Sequence, residues 1–392
     1  MTVSRIVRKI CFSLLLVLIY VLGMRITLPI SIVSSGSSSL SSLTAMVGIN
    51  TSTLSLFSMG LSPWMSVSII KRALDAGKTD RPTATSTEKT YVYKILATIM
   101  LGALQSYVIL GQQAELSSRT AKDFFVGVVL LVTGTLVLVW LSNMNILYGV
   151  GGQTTIVLFT IIFGIMTSIK TNWEFISKIS VLNILIIVSI MVSSIFFAVM
   201  IQRAYLKLPM VRLMVSGKDS YLPIPINPSS GMPFMYSATL SLLPNYLVSF
   251  INMTFKTNSK FLLNISEFMS SSTYAVFFPI VIVVLLSYLF AYYNIDAKKI
   301  SHNFEVSGDY IIGTKYGKNT QKHIMYMTFI VSTVSVAYNL ILALTPLFIN
   351  QFIPALKSIA TQIQVVIVMV GIAFMIMDEV AGHLKHEGTF TL

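Results

Sequence analysis

The sequence predicts an all-α polytopic membrane protein of ten transmembrane helices, arranged as two inverted five-helix halves. Three observations predict this fold class. Of the 392 residues, 55% are hydrophobic and only 10% are charged, whereas soluble domains carry about a quarter charged residues. Ten apolar runs are candidates for membrane spans. Two of these runs are interrupted by glycine and proline at matching places, five spans apart.

The first run follows a basic start that contains Arg5, Arg8 and Lys9. It could be mistaken for a cleavable signal, but no small-residue cleavage site follows promptly, so we expect a retained helix. Residues 31–58 are rich in serine and threonine and carry no charge. They fit either a solvated loop or a segment folded back into a protein-lined cavity. The ten runs are residues 10–22, 58–74, 91–111, 124–141, 154–168, 176–201, 234–253, 274–293, 324–348 and 359–377.

The basic residues predict the orientation of these helices. When the ten runs alternate across a membrane, most of the 27 lysine and arginine residues fall on the side that holds both termini. Positively charged flanks favour the cytoplasm, so both termini are predicted to be cytoplasmic. The net charge of +13 reflects this bias rather than binding to nucleic acid. The single cysteine, Cys11, excludes disulfides and cysteine-based metal sites.

The two interrupted runs carry the same motif. One reads Pro63-Trp64-Met65 and the other Pro233-Phe234-Met235, each with a glycine within the three preceding residues. Because the two runs are the second and the seventh, an odd offset of five, they cross the membrane in opposite senses. This arrangement indicates an inverted repeat, whose halves are residues 1–171 and 172–392. Interrupted helices in matching positions also indicate a site near the bilayer midplane.

The predicted site at these breaks is apolar. Acidic residues lie outside the apolar runs, apart from Asp378 and Glu379 at a helix end. Ion-coupled transporters keep ionisable residues in the membrane interior, so we expect no coupling ion, metal or cofactor. Flexible apolar side chains close around varied shapes and exclude ions by dewetting, which predicts a passive, sealable pore without catalytic residues. The side chains at the breaks are Leu61, Met65, Met232 and Met235.

Two connections, residues 202–232 and 294–322, are long, basic and predicted to be cytoplasmic. Positive-inside bias explains their charge but not their length. A passive pore needs an outside source of work, so these connections are candidates for docking a cytosolic partner. Their basic residues are Arg203, Lys207, Arg212 and Lys218 in the first, and Lys298, Lys299, Lys315, Lys318 and Lys322 in the second.

Two other classes of function make different demands on the sequence. A secondary transporter or lipid flippase with discontinuous helices would need an ionisable or metal-binding cluster within the bilayer. An intramembrane enzyme would need a Ser–Lys, paired-Asp or His–Glu constellation on facing spans. The four histidines all lie in loops or helix flanks: His302, His323, His383 and His386.

Five segments, taken together, resemble the SecY/Sec61 family of protein-conducting channels over nearly the whole chain. The segments are GLSPWMSVSII at residues 60–70, YGVGGQTTIVLF at 148–159, NPSSGMPFMYSATLSLLP at 227–244, SGDYIIGTKYGKNT at 307–320 and Met377-Asp378. Three departures are Trp64, Lys315 and Tyr316, where the family usually carries Tyr, Arg and Pro. With these departures the chain is most similar to the accessory Sec channel of some Gram-positive bacteria, a SecY paralogue. A housekeeping SecY is the alternative.

The resemblance implies a central hourglass pore, and it implies roles for residues at matching positions. The implied pore ring is Leu61, Met65, Leu158, Ile162, Met232 and Met235, with a helix 10 member at Ile372 or at Gly371, which has no side chain. The implied plug is Leu43, Thr44, Ala45, Met46, Val47, Gly48, Ile49 and Asn50. The implied lateral gate includes Pro63, Ser66, Ser68, Phe234, Ser237 and Thr239. Motor docking is implied at Arg203, Lys207, Arg212, Lys298, Lys299, Lys315 and Lys318.

The resemblance also implies partners and a location. It implies export of an unfolded preprotein, in the accessory system a serine-rich glycoprotein adhesin. It implies a SecA-type ATPase as the motor, small SecE/SecG-like or accessory secretion subunits, and contact with membrane lipid but not with nucleic acid. The implied location is the bacterial plasma membrane.

Overall fold

The structure is a computed structural model that describes residues 2–27, 55–75, 84–111, 121–171, 181–212, 220–255, 272–315, 317–352 and 357–388. Ten of the eleven helices in these ranges lie on the ten predicted apolar runs, so the predicted helices are confirmed there. The helices are α1 Thr2–Arg25, α2 Ser62–Asp75, α3 Ala84–Gly111, α4 Ala121–Tyr148, α5 Gly152–Thr171, α6 Val181–Arg203, α7 Met232–Phe255, α8 Ser272–Asn294, α9 Ala297–Ser307, α10 Lys318–Phe352 and α11 Lys357–Gly388.

Six helical segments of the described chain are long and apolar enough to cross a membrane. They are Ile6–Arg25, Glu88–Gly111, Lys122–Tyr148, Met232–Asn252, Phe277–Ser307 and Lys318–Phe348. Helix α2 has only 14 residues, about 21 Å of helix against a hydrocarbon core of about 30 Å. It is short because residues 56–61 form turns instead of continuing the helix.

Backbone contacts divide the chain into two compact units. The first unit comprises Met1–Lys178, Met235–Pro279 and Ile372–Leu392, and the second comprises Ile179–Phe234 and Ile280–Gly371. The division therefore falls inside α7, α8 and α11. The predicted halves, residues 1–171 and 172–392, describe an inverted repeat rather than a grouping by contact, and they stay a prediction.

In the first unit, the turns before α2 pack between α1 and α4. A Cβ on Gly23 of α1 would collide with the ring of Phe57, and a Cβ on Gly134 of α4 would collide with the carbonyl of Leu56. The ring of Phe57 also stacks on Tyr20, with 6.0 Å between centroids. The two glycines therefore leave room for the turns that precede α2.

In the second unit, the two long basic connections fold together, an arrangement that no local sequence pattern predicts. Strands β1 Tyr205–Val211, β2 Tyr221–Pro225 and β3 Tyr310–Ile311 form an antiparallel sheet in the order β2-β1-β3. The inner side of this sheet packs against α9 and the start of α10. The buried core residues are Leu208, Met210, Ile224, Ile295, Phe304, Ile311, Ile324 and Val331.

Three prolines in the β1–β2 hairpin occupy pairs that exchange no hydrogen bond. At the ends of the hairpin, Ile226 N donates to Ala204 O at 2.9 Å, and Met210 N donates to Ser220 O at 3.0 Å. Along an antiparallel ladder, pairs that exchange backbone hydrogen bonds alternate with pairs that exchange none. Counting from these two ends, three of the pairs between them exchange no hydrogen bond. Those pairs are Tyr205↔Pro225, Lys207↔Pro223 and Pro209↔Tyr221. The proline nitrogens therefore face away from the β1–β2 ladder, where a strand tolerates them.

Candidate functional site

The two predicted breaks have the same backbone geometry. Gly60 has a φ of 59°, and its N–H donates to Phe57 O at 2.9 Å. Ser230, in the matching place of the second motif, has a φ of 51°, and its N–H donates to Asn227 O at 3.3 Å. A helix begins two residues later in each case, with proline as its second residue. Proline is tolerated there because the first turn needs no N–H donor.

Ser230 has a left-handed backbone although it carries a Cβ, which costs about 1–2 kcal/mol. Its side chain offsets this cost through two hydrogen bonds. The Ser230 hydroxyl accepts from Gln202 Nε2 at 2.9 Å and donates to the carbonyl of Gly371 at 3.1 Å. The turn before α7 is thereby tied to α6 and to α11.

Asn227 lies at the centre of a buried hydrogen-bond network at this turn. Its Oδ1 accepts from Ser335 Oγ at 2.7 Å, from Ser229 Oγ at 3.1 Å and from Ser230 N at 3.1 Å. Its Nδ2 donates to Gln202 Oε1 at 3.3 Å. Ser335 belongs to α10, so the Asn227 side chain links that helix to the start of α7.

The network continues into α8. Asn339 of α10 donates from Nδ2 to Ser287 Oγ of α8 at 2.9 Å and to Ser229 Oγ at 3.3 Å. Asn294, at the end of α8, donates to Pro228 O at 2.7 Å. Four helices therefore hold the turn. The Asn227 network comprises Gln202, Asn227, Ser229, Ser230, Ser287, Asn294, Ser335 and Asn339.

Helix α11 meets the same turn at Gly371. A Cβ on Gly371 would lie 3.2 Å from the N atom and 3.3 Å from the Cα of Gly231. Both neighbours are backbone atoms, so a side chain could be accepted only if a helix or the turn moved. The contact explains why position 371 is glycine, and the next residue, Ile372, is buried.

The glycine-rich turn at residues 149–152 is a second hydrogen-bonded junction, within the first unit. Asn145 Nδ2 donates to Val150 O at 3.0 Å, and Ser13 Oγ donates to Asn145 Oδ1 at 2.7 Å. Gly151 N donates to Glu379 Oε1 at 3.2 Å. This turn therefore joins α1, α4 and α11 at the start of α5.

The predicted pore-ring residues are apolar and lie on four of the described helices or next to them. Leu61, Met65, Met235 and Ile372 are buried, and Leu158, Ile162 and Met232 are half-buried. The ring itself stays a prediction. The predicted plug, residues 43–50, lies outside the described residues.

The predicted gate residues are all buried: Pro63, Ser66, Ser68, Phe234, Ser237 and Thr239. Two of their hydroxyls bond back to their own helix, Ser68 to Trp64 O at 2.6 Å and Thr239 to Met235 O at 3.3 Å. Ser66 Oγ has no hydrogen-bond partner in the described part of the chain. Gln153 was not among the predicted residues. Its Nε2 donates to Tyr236 OH at 2.7 Å and joins α5 to α7 in the first unit.

Trp64 anchors α2 to its neighbours. Lys94 Nζ of α3 lies 3.6 Å from the centroid of the Trp64 ring, and Tyr91 packs edge-on against the same ring at 6.2 Å. Asn143 of α4 donates to Tyr91 OH at 2.8 Å. A cation over a tryptophan face contributes about 0.5–2 kcal/mol. The first motif therefore fixes α2 against α3 through its aromatic residue.

The seven predicted docking cations are all exposed: Arg203, Lys207, Arg212, Lys298, Lys299, Lys315 and Lys318. Pairing of β1 with β3 brings the first basic connection against the second. The two connections, which the sequence presents as separate loops, therefore form one small folded body.

The part of the chain that contains the breaks and the connections is similar to known proteins. A sequence model of SecY matches residues 55–377, which contain both breaks and both connections. The chain belongs to the SecY family. Three relatives are named accessory Sec system protein translocase subunit SecY2. The one from Leuconostoc gelidum subsp. gasicomitatum is 28% identical, over 95% of this chain and 94% of the relative. The one from Streptococcus oralis is 30% identical over 95% and 94%, and the one from Streptococcus pneumoniae serotype 4 is 29% identical over 95% of both chains.

Solved structures share the SecY fold of this chain. A protein-conducting channel matches with a TM-score of 0.71 and 13% identity, covering 99% of this chain and 95% of that one. Sec61 in the canine ribosome-channel complex from the endoplasmic reticulum matches with a TM-score of 0.66 and 12% identity over 99% and 95%. This SecY family member is therefore a multi-pass membrane protein and a protein-conducting channel subunit. The predicted all-α polytopic membrane fold and the predicted protein-conducting channel are confirmed, and the division into two inverted halves stays a prediction.

Proposed function

We propose that this SecY family member is the channel subunit of an accessory Sec translocase in a bacterial plasma membrane. It passes unfolded preproteins, serine-rich glycoprotein adhesins among them, while a SecA-type ATPase supplies the work. The names of the relatives support the accessory assignment. The observation that carries the channel mechanism is the pair of matching breaks at Gly60 and Ser230, each followed by apolar side chains.

The chemistry near the breaks fits a polypeptide of varied sequence. Met65 and Met235 occupy the same place in the two motifs, and both are buried. Methionine is flexible and polarizable, so it accommodates side chains of different shapes without selecting among them. An apolar constriction blocks ions by dewetting when no polypeptide fills it. The same residues thus provide passage and a seal.

The folded body formed by the two basic connections supports motor docking. Its exposed lysines and arginines form a positively charged surface, which favours and steers the approach of an acidic partner. The chain itself holds no catalytic role in this proposal, and both termini lie in the cytoplasm with the motor. Small SecE/SecG-like or accessory secretion subunits complete the assembly within the lipid.

Reconstituted transport tests this proposal. Proteoliposomes that contain the full chain and its accessory subunits receive the SecA-type ATPase and a urea-unfolded adhesin precursor from the same bacterium. We expect ATP-dependent protection of the precursor from added protease. The variant Lys315→Glu should lower the protected fraction at limiting ATPase, because it reverses a charge on the docking surface. The variant Lys122→Glu, at an exposed lysine of α4, is the matched control. Precursor that stays fully accessible with ATPase and ATP present would contradict the proposal.

A further inference from the structure

Helix α5 and the start of α7 are joined by a hydrogen bond between two side chains. Gln153 Nε2 of α5 donates to Tyr236 OH of α7 at 2.7 Å. The side chain of Tyr236 is only 1% exposed, and that of Gln153 is half-buried. A buried tyrosine hydroxyl usually finds a hydrogen-bond partner. The Gln153–Tyr236 bond therefore ties the two helices together at a point that water barely reaches.

Gln153 extends from a firmly held backbone. It is the second residue of α5 and directly follows the glycine-rich turn. The carbonyl of Gly152 accepts from Asn145 Nδ2 at 2.8 Å. Thr155 Oγ1 donates to Val150 O at 2.7 Å. Because the backbone on both sides of Gln153 is bonded to this turn, its side chain reaches α7 from a fixed point.

Tyr236 stands between the predicted pore ring and the predicted gate. The residue before it, Met235, is a predicted ring residue, and the residue after it, Ser237, is a predicted gate residue. From Met235 onward, α7 belongs to the same compact unit as α2 and α5. The predicted repeat assigns α5 to its first half and α7 to its second. The Gln153–Tyr236 bond therefore links the predicted halves at the helix that the proposed gate must move.

Another contact of α7, near its other end, tolerates small movements better. The ring of Phe250 packs edge-on against Tyr107 of α3, with 5.3 Å between centroids. Aromatic pairs remain favourable over centroid distances of about 4.5–7 Å. A hydrogen bond is lost once its donor and acceptor are about 3.5 Å apart. A shift of α7 by about 1 Å therefore breaks the Gln153–Tyr236 bond and leaves the ring pair intact.

We propose that Gln153 is a positioning residue of the channel, which holds α7 in the sealed arrangement through Tyr236 and releases it when the gate opens. This inference rests on the proposed function. A hydrogen bond between uncharged groups shifts an equilibrium by about 2- to 12-fold. That factor biases two arrangements of a gate, and a motor that binds one of them more tightly can overcome it. Without the bond the open arrangement is more populated, so the motor binds with a higher apparent affinity.

The variants Gln153→Leu and Tyr236→Phe test the proposal. Each removes one side of the bond with little change in volume, which cores tolerate best. The matched controls are Thr160→Val and Tyr20→Phe. Thr160 Oγ1 of α5 lies 2.7 Å from Tyr20 OH of α1, so this bond also joins α5 to a tyrosine, but within one predicted half. Tyr20 is 1% exposed, as Tyr236 is.

Two readouts use membranes that contain the full chain and its accessory subunits. The first is the concentration of SecA-type ATPase that gives half-maximal protection of the precursor, and the second is the ion conductance of the idle channel. We expect each test variant to lower the first about threefold or more and to raise the second by a similar factor. A variant that is only destabilised would need as much ATPase or more. The controls should stay within about twofold of the unchanged chain, and the double variant within about twofold of either single variant, because both remove the same bond.

Three results would overturn the inference. Test variants that need as much ATPase as the controls, and conduct no more ions, would mean that the bond does not hold the gate. Transport by the unchanged chain in the same experiment would then leave the proposed function standing. Effects of the two single variants that multiply in the double variant would mean that the two side chains act independently. Failure of the unchanged chain to transport the precursor would refute both the inference and the proposed function.

Discussion

Single residues decide the geometry of the second break. Ser230 accepts a strained backbone because its hydroxyl joins Gln202 to Gly371. Gly371 has no side chain because the backbone of Gly231 lies against it. The sequence left open whether the ring residue of the tenth predicted span, which is helix α11, is Gly371 or Ile372. Because the backbone of Gly231 lies against it, packing alone explains why residue 371 is glycine, without any role in a pore ring.

Adding one methyl group at Gly371 tests this contact. Gly371→Ala would place a Cβ 3.2 Å from Gly231 N, and overpacking of this kind costs about 1–3 kcal/mol. Alanine favours a helix by about 0.5–1 kcal/mol over glycine, which offsets part of the loss. We expect a lower melting temperature of the purified protein. Gly382→Ala, also in α11, is the control: outside its own helical turn, no atom of the described residues lies within 4 Å of the added Cβ. This variant should melt no lower than the unchanged chain. Equal melting of both variants would contradict the close approach.

A pair of substitutions at Ser230 separates its hydroxyl from its backbone. Both Ser230→Ala and Ser230→Gly lose the two side-chain hydrogen bonds, but only glycine relieves the left-handed backbone. We expect Ser230→Ala to lower the free energy of unfolding more than Ser230→Gly, by about 1 kcal/mol. Denaturant unfolding in detergent measures the difference. The opposite order would mean that the left-handed conformation is not retained.

At the scale of elements, the start of α7 is held by polar contacts rather than by apolar packing alone. The Asn227 network reaches α6, α8, α10 and α11. Because β2 ends at Pro225, two residues before Asn227, the network directly follows the sheet along the chain. A partner bound to the sheet therefore lies one short turn from α7.

Removing the central acceptor should loosen this turn. Asn227→Ala removes the Oδ1 acceptor that the Ser229 and Ser335 hydroxyls share. The Ser230 N–H keeps the backbone carbonyl of Asn227 as its acceptor, and the two hydroxyls, 3.1 Å apart, can still pair with each other. The expected loss is therefore about 1–3 kcal/mol in total. We expect a lower melting temperature and faster proteolysis after α6. The control is Asn143→Ala, which removes one hydrogen bond, to Tyr91. Proteolysis of the two variants at equal rates would argue against a special role for Asn227.

The elements also show where sequence reasoning succeeds and where it stops. Apolar runs and proline breaks are local signals, so the ten helices and both breaks could be predicted. The sheet could not, because Pro209, Pro223 and Pro225 argue against strands in any local pattern. They are tolerated only because the pairing register turns their nitrogens away from the ladder. The Asn227 network joins residues far apart in the sequence, and no spacing rule connects Asn227 with Ser335 or Asn339.

At the scale of the whole molecule, many large apolar side chains are exposed on the surface, as expected for contact with lipid. Leu14, Leu18 and Leu22 of α1 are 54%, 59% and 58% exposed, and their four-residue spacing places them along one face of the helix. Large exposed apolar stripes of this kind mark contact with a membrane or partner subunits. Composition alone predicted this class of protein. The roles of individual pore and gate residues came from resemblance to a family, because composition cannot assign them.

Joining α2 to α7 tests lateral opening in the whole channel. In a Cys11→Ser background, which removes the exposed natural thiol, Ser68→Cys and Ser237→Cys are joined by a short bifunctional thiol reagent. We expect export to stop when the two helices are joined and to resume when a cleavable linker is reduced. Chains with only one of the two cysteines, treated in the same way, should export normally. Undiminished export through fully cross-linked chains would rule out separation of these helices as a step in transport.

The prolines of β2 also limit backbone pairing at the edge of the sheet. An unfolded polypeptide carries unpaired amides and carbonyls, and an open strand edge would bind it by backbone pairing. Strand β2 forms an edge of its sheet. Along that edge Pro223 and Pro225 offer no N–H, which leaves Tyr221 as the donor among the three outward positions. An unfolded segment that meets this edge therefore finds too few N–H donors to add a strand to the sheet.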